Sequence, residues 1–166
     1  MVRVAADFND PRLTAFGLFA EAYTGLTNRF AAQFEQHRLS PVEFEVLMRL
    51  ARSPRNRLRM TDLAGQTSLS TSGVTRVVDR MDREGLIRRE ACESDRRSSY
   101  AVITPAGIKR LEEILPEHLQ LMQEWFIGRL GADELDQLLG LLRKIRDAVN
   151  PCATAGTENE LPAPTR

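Results

Sequence analysis

Thr61-Asp62-Leu63-Ala64-Gly65-Gln66-Thr67-Ser68-Leu69-Ser70-Thr71-Ser72-Gly73-Val74-Thr75-Arg76-Val77-Val78-Asp79-Arg80-Met81-Asp82-Arg83-Glu84-Gly85 is the stretch on which the reading of this chain turns. It predicts a short helix over roughly Thr61 to Gln66, a cluster of turn and capping residues from Thr67 to Ser72, and a second helix to about Glu84, ended by Gly85. In the second helix Val74, Val77, Val78 and Met81 recur at i, i+3, i+4, i+7, so that side packs on a core. The opposite side carries Ser72, Thr75, Arg76, Asp79, Arg80 and Arg83. Short hydroxyls followed by arginines suit a helix lying in a major groove, where Arg bonds a guanine edge bidentately and Ser or Thr reaches bases or phosphates. Ser70 and Thr71 stand at the N-terminal turn, whose open amides and positive dipole favour a phosphate. A surface helix with its polar face in water shows the same pattern, so the neighbouring segments decide.

Beyond Gly85, Leu86-Ile87-Arg88-Arg89 and Tyr100-Ala101-Val102-Ile103 read as two short strands flanking a polar loop, Ser94 to Ser99. The hairpin tip, Glu93-Ser94-Asp95-Arg96-Arg97-Ser98-Ser99, projects two arginines among small residues, a composition that fits a narrow minor groove. Asp95 suits a different task, holding an arginine in one rotamer and so reducing the entropy lost on binding. Before the central stretch, Arg55-Asn56-Arg57-Leu58-Arg59 reads as a connection holding at most one edge strand.

Long amphipathic segments flank this centre. Leu13, Phe16, Phe19, Ala20, Tyr23, Leu26, Phe30 and Phe34 recur at threes and fours from Pro11 to about Gln36. A second helix opens on Leu39-Ser40-Pro41-Val42-Glu43-Phe44, which holds a cap, a first-turn proline, a capping box and a hydrophobic staple, and it stops at Ser53-Pro54. Thr104-Pro105 opens a helix through Ile108, Leu111, Leu115, Leu119, Met122 and Phe126, which Pro116 should kink rather than end. After a break at Gly128 to Gly131, Leu135, Leu138, Leu139, Leu142, Ile145 and Val149 form a last stripe, ending at Asn150-Pro151. The expected organisation is a flexible start over residues 1–10, one domain over 11–149 with its DNA-binding part at about 55–104, and a disordered tail over 150–166. The fold class is mainly α with a small β-hairpin wing.

The 23 basic and 23 acidic residues cancel, which by itself argues against a nucleic-acid partner, but their distribution is lopsided. From Arg49 to Arg97 there are twelve arginines against seven acids, leaving a basic centre between acidic flanks. Cys92 and Cys152 are too few and too far apart for a disulfide framework or a four-ligand metal site. His37 and His118 read as polar surface or helix-end residues. Neither has a Ser, Cys or Asp partner at a catalytic spacing, and no paired carboxylates or Gly-rich phosphate loop stand out, so neither an enzyme nor a cofactor is expected. The absence of a leader-like start or an apolar run of membrane length makes a cytoplasmic location, with no membrane partner, the default expectation.

The order of elements resembles the multiple antibiotic resistance regulator (MarR) family of winged helix-turn-helix transcriptional regulators. The match rests on Leu63-Ala64 in the bracing helix, Val74 to Met81 in the recognition helix, Glu84-Gly85-Leu86-Ile87-Arg88-Arg89 leading into the wing, and Asp95-Arg96-Arg97 with Ile103-Thr104 closing it. Ile103 stands where the family pattern has leucine. The resemblance covers about residues 13 to 149. It implies a homodimer on a pseudo-palindromic operator in double-stranded DNA, with Arg97 in the minor groove and Asp95 orienting it. The stripes of the first and last helices, Leu13, Phe16 and Phe19 beside Leu135, Leu138, Leu139, Leu142 and Ile145, are suited to bury one another across a two-fold axis.

The expected mechanism is occlusion, a dimer on a promoter-proximal site blocking polymerase until a signal changes the distance between its recognition helices; the resemblance further implies a small aromatic effector bound between the first, second and fifth helices. Tyr23, Phe30, Phe34, Phe44 and Met48 are then pocket candidates, although their helical spacing favours ordinary core. Two alternatives stay open: a regulator that senses oxidants through Cys92, which also reads as a small apolar filler, and a winged helix that binds protein instead of DNA.

Overall fold

The computed structural model describes residues 7–67, 69–92 and 95–153, with the backbone alone for 95–97. Its elements run α1 (Pro11–Gln36), α2 (Pro41–Ala51), β1 (Arg57–Arg59), α3 (Met60–Gln66), α4 (Thr71–Arg83), β2 (Ile87–Cys92), β3 (Asp95–Ile103), α5 (Pro105–Trp125) and α6 (Ala132–Val149). Local chemistry sets most of these bounds. Asp10, Ser40, Ser70 and Thr104 each cap the helix that follows by accepting from a backbone amide, and Pro11, Pro41 and Pro105 occupy first-turn positions. The Ser40–Glu43 capping box is closed in both directions. Pro116 removes one helical donor, yet α5 continues across it to Trp125, as expected.

The three strands form an antiparallel sheet in the order β1-β3-β2. The hairpin is longer than the sequence predicts: β3 begins at Asp95, so most of the expected loop is strand, with Ala91 opposite Ser99. Backbone pairing of an exposed antiparallel ribbon tolerates small polar residues, and the register shift between Ala91 and Cys92 bends the ribbon near its tip.

Because paired residues share a face, Ile87, Ile103, Ala101, Leu58 and Arg89 lie on one side of the sheet, and Arg57, Arg59, Arg88, Glu90, Tyr100 and Val102 lie on the other. All of the first set but the exposed Arg89 join the core. Ile87, Ala101 and Ile103 pack with Val46, Leu47 and Leu50 of α2, Leu63 of α3, Val74, Val78 and Met81 of α4, and Leu111 and Ile114 of α5. Around Gly107 the α5 backbone comes so close to the start of β2 that a Cβ there would lie 2.3 Å from the Leu86 carbonyl oxygen. Thr104 adds hydrogen bonds from its hydroxyl to the carbonyls of Gly85 (2.6 Å) and Leu86 (3.1 Å). The turn at Gly85 takes φ +74°, a conformation in which a Cβ is strained.

One expectation is corrected. His118 is not a surface residue: it is 9% exposed, with its Nδ1 3.0 Å from Gln33 Oε1 and its ring among Phe30, Phe34 and Phe44. It lies one helical turn from Ile114 and two from Leu111, on the core stripe of α5, so its burial follows from the period of that helix. His37 does sit at a helix end, the C-cap of α1. Past α6, Pro151–Ala153 fold back as a turn, with Ala153 buried and Cys152 against Gly65 of α3. The remainder of the expected tail, 154–166, and residues 1–6 of the expected flexible start lie outside the described residues.

Candidate DNA-binding surface

α4 is strongly two-sided. Val74, Val78 and Met81 have no exposed surface, whereas Thr71, Ser72, Arg76, Asp79, Arg80 and Arg83 are exposed and Thr75 is half-buried. Ser70 is engaged at the cap, its hydroxyl accepting from Gly73 N at 3.1 Å and lying 3.2 Å from the Ser72 hydroxyl. Arg76 and Arg83 fold back on the carbonyls of Ser72 and Asp79 at 3.4 and 3.2 Å, weak contacts that leave their guanidinium tips to an incoming group.

Two residues of this face are held by neighbouring elements. Arg80 donates from Nε to Glu43 Oε1 of α2 at 2.7 Å, and Asp79 pairs with Arg89 of β2 at 2.9 Å. The exposed side of α4 therefore adjoins the base of the hairpin, and its two central charges are oriented by the scaffold. Glu43 is buried, and burial pushes its pKa up. Hydrogen bonds from the Ser40 hydroxyl and amide, together with the Arg80 charge, outweigh that cost and hold the carboxyl below its ordinary value. The acid thus stays ionised, and its charge positions Arg80.

On the wing, the backbone of Asp95, Arg96 and Arg97 belongs to β3, while their side chains, with Glu93 and Ser94, lie outside the described residues. Ser99 is half-buried. The Ser98 hydroxyl is enclosed and has no hydrogen-bond partner among the described residues, so it does not face a groove in this conformation.

The pocket candidates separate. Phe34 and Phe44 are buried and meet each other at 5.1 Å, Phe30 and Met48 pack against the same cluster, and Tyr23 is 64% exposed on α1. Gln33, which the sequence reading passed over, links the group: its Nε2 donates to the Ile114 carbonyl at 3.0 Å while its Oε1 faces His118. A polar pair inside an aromatic cluster between α1, α2 and α5 has no signature in hydrophobic periodicity, although the placement of His118 on the α5 stripe was a signal for it. Burial holds the His118 pKa below the ordinary value, which favours the neutral ring.

Of the candidate interface residues, Leu13, Phe16, Phe19 and Ile145 are exposed, Leu138, Leu139 and Leu142 are half-buried, and Leu135 is buried. Cys92 is buried at 5% exposure and is not in a disulfide, as a small apolar filler would be. Among the described residues, no group of His, Cys, Asp and Glu could hold a metal ion, and no helix is long and apolar enough to cross a membrane.

A bracing helix, an outward recognition helix and a paired hairpin beside it define a winged helix-turn-helix protein of the DNA-binding class. The sequence model of the MarR family matches residues 39–99. The chain is 32% identical to the uncharacterized HTH-type transcriptional regulator YkoM of Bacillus subtilis, over 80% of this chain and 84% of the relative. Among solved structures it is similar to Sco3205, a MarR family transcriptional regulator from Streptomyces coelicolor in complex with DNA, with a TM-score of 0.80, 26% identity, and 93% and 98% of the two chains covered. It is also similar to Bordetella bronchiseptica BpsR, whose DNA binding is regulated by 6-hydroxynicotinic acid, with a TM-score of 0.71, 26% identity, and 81% and 99% covered. The chain belongs to the MarR family of transcriptional regulators, so it is a DNA-binding regulator and not an enzyme.

Proposed function

We propose that the chain acts as a homodimeric repressor on a pseudo-palindromic operator, released by a small aromatic molecule. The observation that carries this reading is the outward face of α4. Ser72, Thr75, Arg76 and Arg83 are available to base edges and phosphates, and the pairs to Glu43 and Arg89 tie the helix to α2 and the base of the wing. Two further features support it. Phe16 (71% exposed), Phe19, Ile145 and Val149 (76%) leave apolar surface on α1 and α6 that a second copy would bury, placing two recognition helices about 34–36 Å apart. The aromatic cluster of Phe30, Phe34, Phe44 and Met48 lies where α1, α2 and α5 converge, so a planar ligand inserted there would alter the angle between the interface helices and the reading head. The regulation of BpsR by 6-hydroxynicotinic acid makes a planar aromatic acid the first effector to try.

Footprinting on the upstream region of the protein's own gene tests the reading, with Arg76→Ala as the variant. Loss of a base contact costs about 1–3 kcal/mol at one position and relaxes sequence preference there. An equal loss on every duplex would reassign Arg76 to the phosphate backbone, and no footprint anywhere would defeat the operator reading.

A further inference from the structure

The outer face of the wing sheet carries a cluster that the recognition helix does not use. Arg57 and Arg59 of β1, Arg88 and Glu90 of β2, and Tyr100 of β3 share the side of the sheet turned away from the core. The Arg57 guanidinium lies 4.6 Å from the Tyr100 ring centre and 3.3 Å from Glu90, and that of Arg59 lies 5.8 Å from the same ring while donating to the Tyr100 hydroxyl at 3.3 Å. Arg88 also pairs with Glu90. Among the described residues of this face three arginines thus meet one carboxylate, with Asp62 of α3 close enough to act on Arg59, on a chain whose total charge is zero. The approach of Arg57 to the Tyr100 ring and the hydrogen bond from Arg59 to its hydroxyl restrict the two β1 arginines before any partner arrives, which lowers the entropy cost of binding, and Arg59 remains exposed.

We propose that this face binds the phosphate backbone of DNA flanking the operator, outside the stretch covered by the recognition helix and the wing tip. The inference rests on the proposed docking of α4 and the wing on DNA. β3 runs from the tip at Asp95 past Tyr100 to Val102, the partners of Arg59 and Arg57, so the two arginines stand roughly 16 and 23 Å along the ribbon from a loop lodged in a minor groove, on the side opposite the residues that face α4. Duplex DNA presents a charge about every 1.7 Å along its axis, so phosphates continue past the groove beneath that face. An acidic protein segment is the competing partner. DNA is favoured because the cluster stands on the element that the docking already brings to the duplex.

The test compares two duplexes: the footprinted promoter core, and the same core lengthened by about one helical turn (~10 bp) on each side. Each phosphate contact contributes roughly 0.9 to the salt slope and about fivefold in affinity near 0.15 M salt. The double variant Arg57→Gln/Arg59→Gln is expected to bind the lengthened duplex about thirtyfold more weakly than the parent, with a salt slope smaller by about two, and to match the parent on the core duplex. Tyr100→Phe, which keeps the ring but removes the hydroxyl that Arg59 addresses, is expected to lose part of this on the lengthened duplex alone. It carries the test if the double variant loses its circular dichroism signal. Parent-like binding of the lengthened duplex by folded variants overturns the proposal, as does an equal loss on both duplexes. Native DNA binding combined with lost binding to poly-glutamate overturns it in favour of an acidic protein. A parent that binds neither duplex fails at the earlier step, the docking of α4.

Discussion

Arg80 Nε stands 2.7 Å from Glu43 Oε1, so the carboxylate that closes the capping box of α2 also holds the recognition helix. One buried acid thereby serves a helix N-terminus and the orientation of an exposed arginine on the outer face of α4. Its loss should be felt in both stability and recognition. Glu43→Ala is expected to lower stability by about 1–2 kcal/mol, the range of a lost cap with a partly exposed ion pair, and to weaken operator binding through a mobile Arg80. Urea melts and binding to the footprinted duplex check the two effects, and native values in both would refute the dual role.

The same acid gives a pH dependence of definite sign. The folded-state pKa of Glu43 lies below its ordinary value of 4.5, so its contribution is fully present above about that pH and is lost as pH falls through the folded value. Glu43→Gln should therefore show a flatter loss of Tm on acidification below about pH 4.5 than the parent. Parallel curves would place the acid sensitivity elsewhere.

His118 acts in a higher window. Burial depresses its pKa from the ordinary 6.5, so the unfolded chain takes up the proton first. Stability is complete above about pH 6.5 and declines as pH falls from there toward the folded value. In His118→Gln the slope of stability as pH falls below about 6.5 should shrink, as followed by thermal melts at fixed ionic strength. An unchanged slope would mean that another group titrates.

Gly107 sets how closely α5 approaches the wing. Gly107→Ala puts a methyl 2.3 Å from the Leu86 carbonyl oxygen and 2.7 Å from Ile103 Cγ1, and backbone must move to admit it. The expected cost is about 1–3 kcal/mol, with the hairpin base displaced and DNA affinity lowered. Gly25→Ala is the control. Nothing lies within 4 Å of the added atom, and its helical position predicts a gain of up to about 1 kcal/mol.

Phe16→Glu and Ile145→Glu alter side chains that are 71% and 56% exposed in the single chain, so the protomer fold should survive. Sedimentation at micromolar concentration is expected to show a dimer for the parent and a shift toward monomer for either variant. A monomeric parent would refute the homodimer.

Helix limits and the position of the wing were legible in the chain because their causes are local. Ser40, Pro41 and Glu43 announce one helix, Thr104 and Pro105 another, Gly85 ends the recognition helix, and periods of 3.6 and 2 mark the core faces within a dozen residues. The outward polar face of α4 followed from the same periodicity, and with it most of the candidate site. Charge pairing did not follow. Glu43 and Arg80 are 37 positions apart, Arg59 and Tyr100 are 41 apart, and Gln33 and His118 are 85 apart, and no repeat or motif connects them. Such partners are chosen by the distance at which elements pack. Tertiary structure alone therefore decided which arginines are oriented by a neighbour, that His118 meets Gln33 and three phenylalanines, and that three arginines meet on the outer side of the wing.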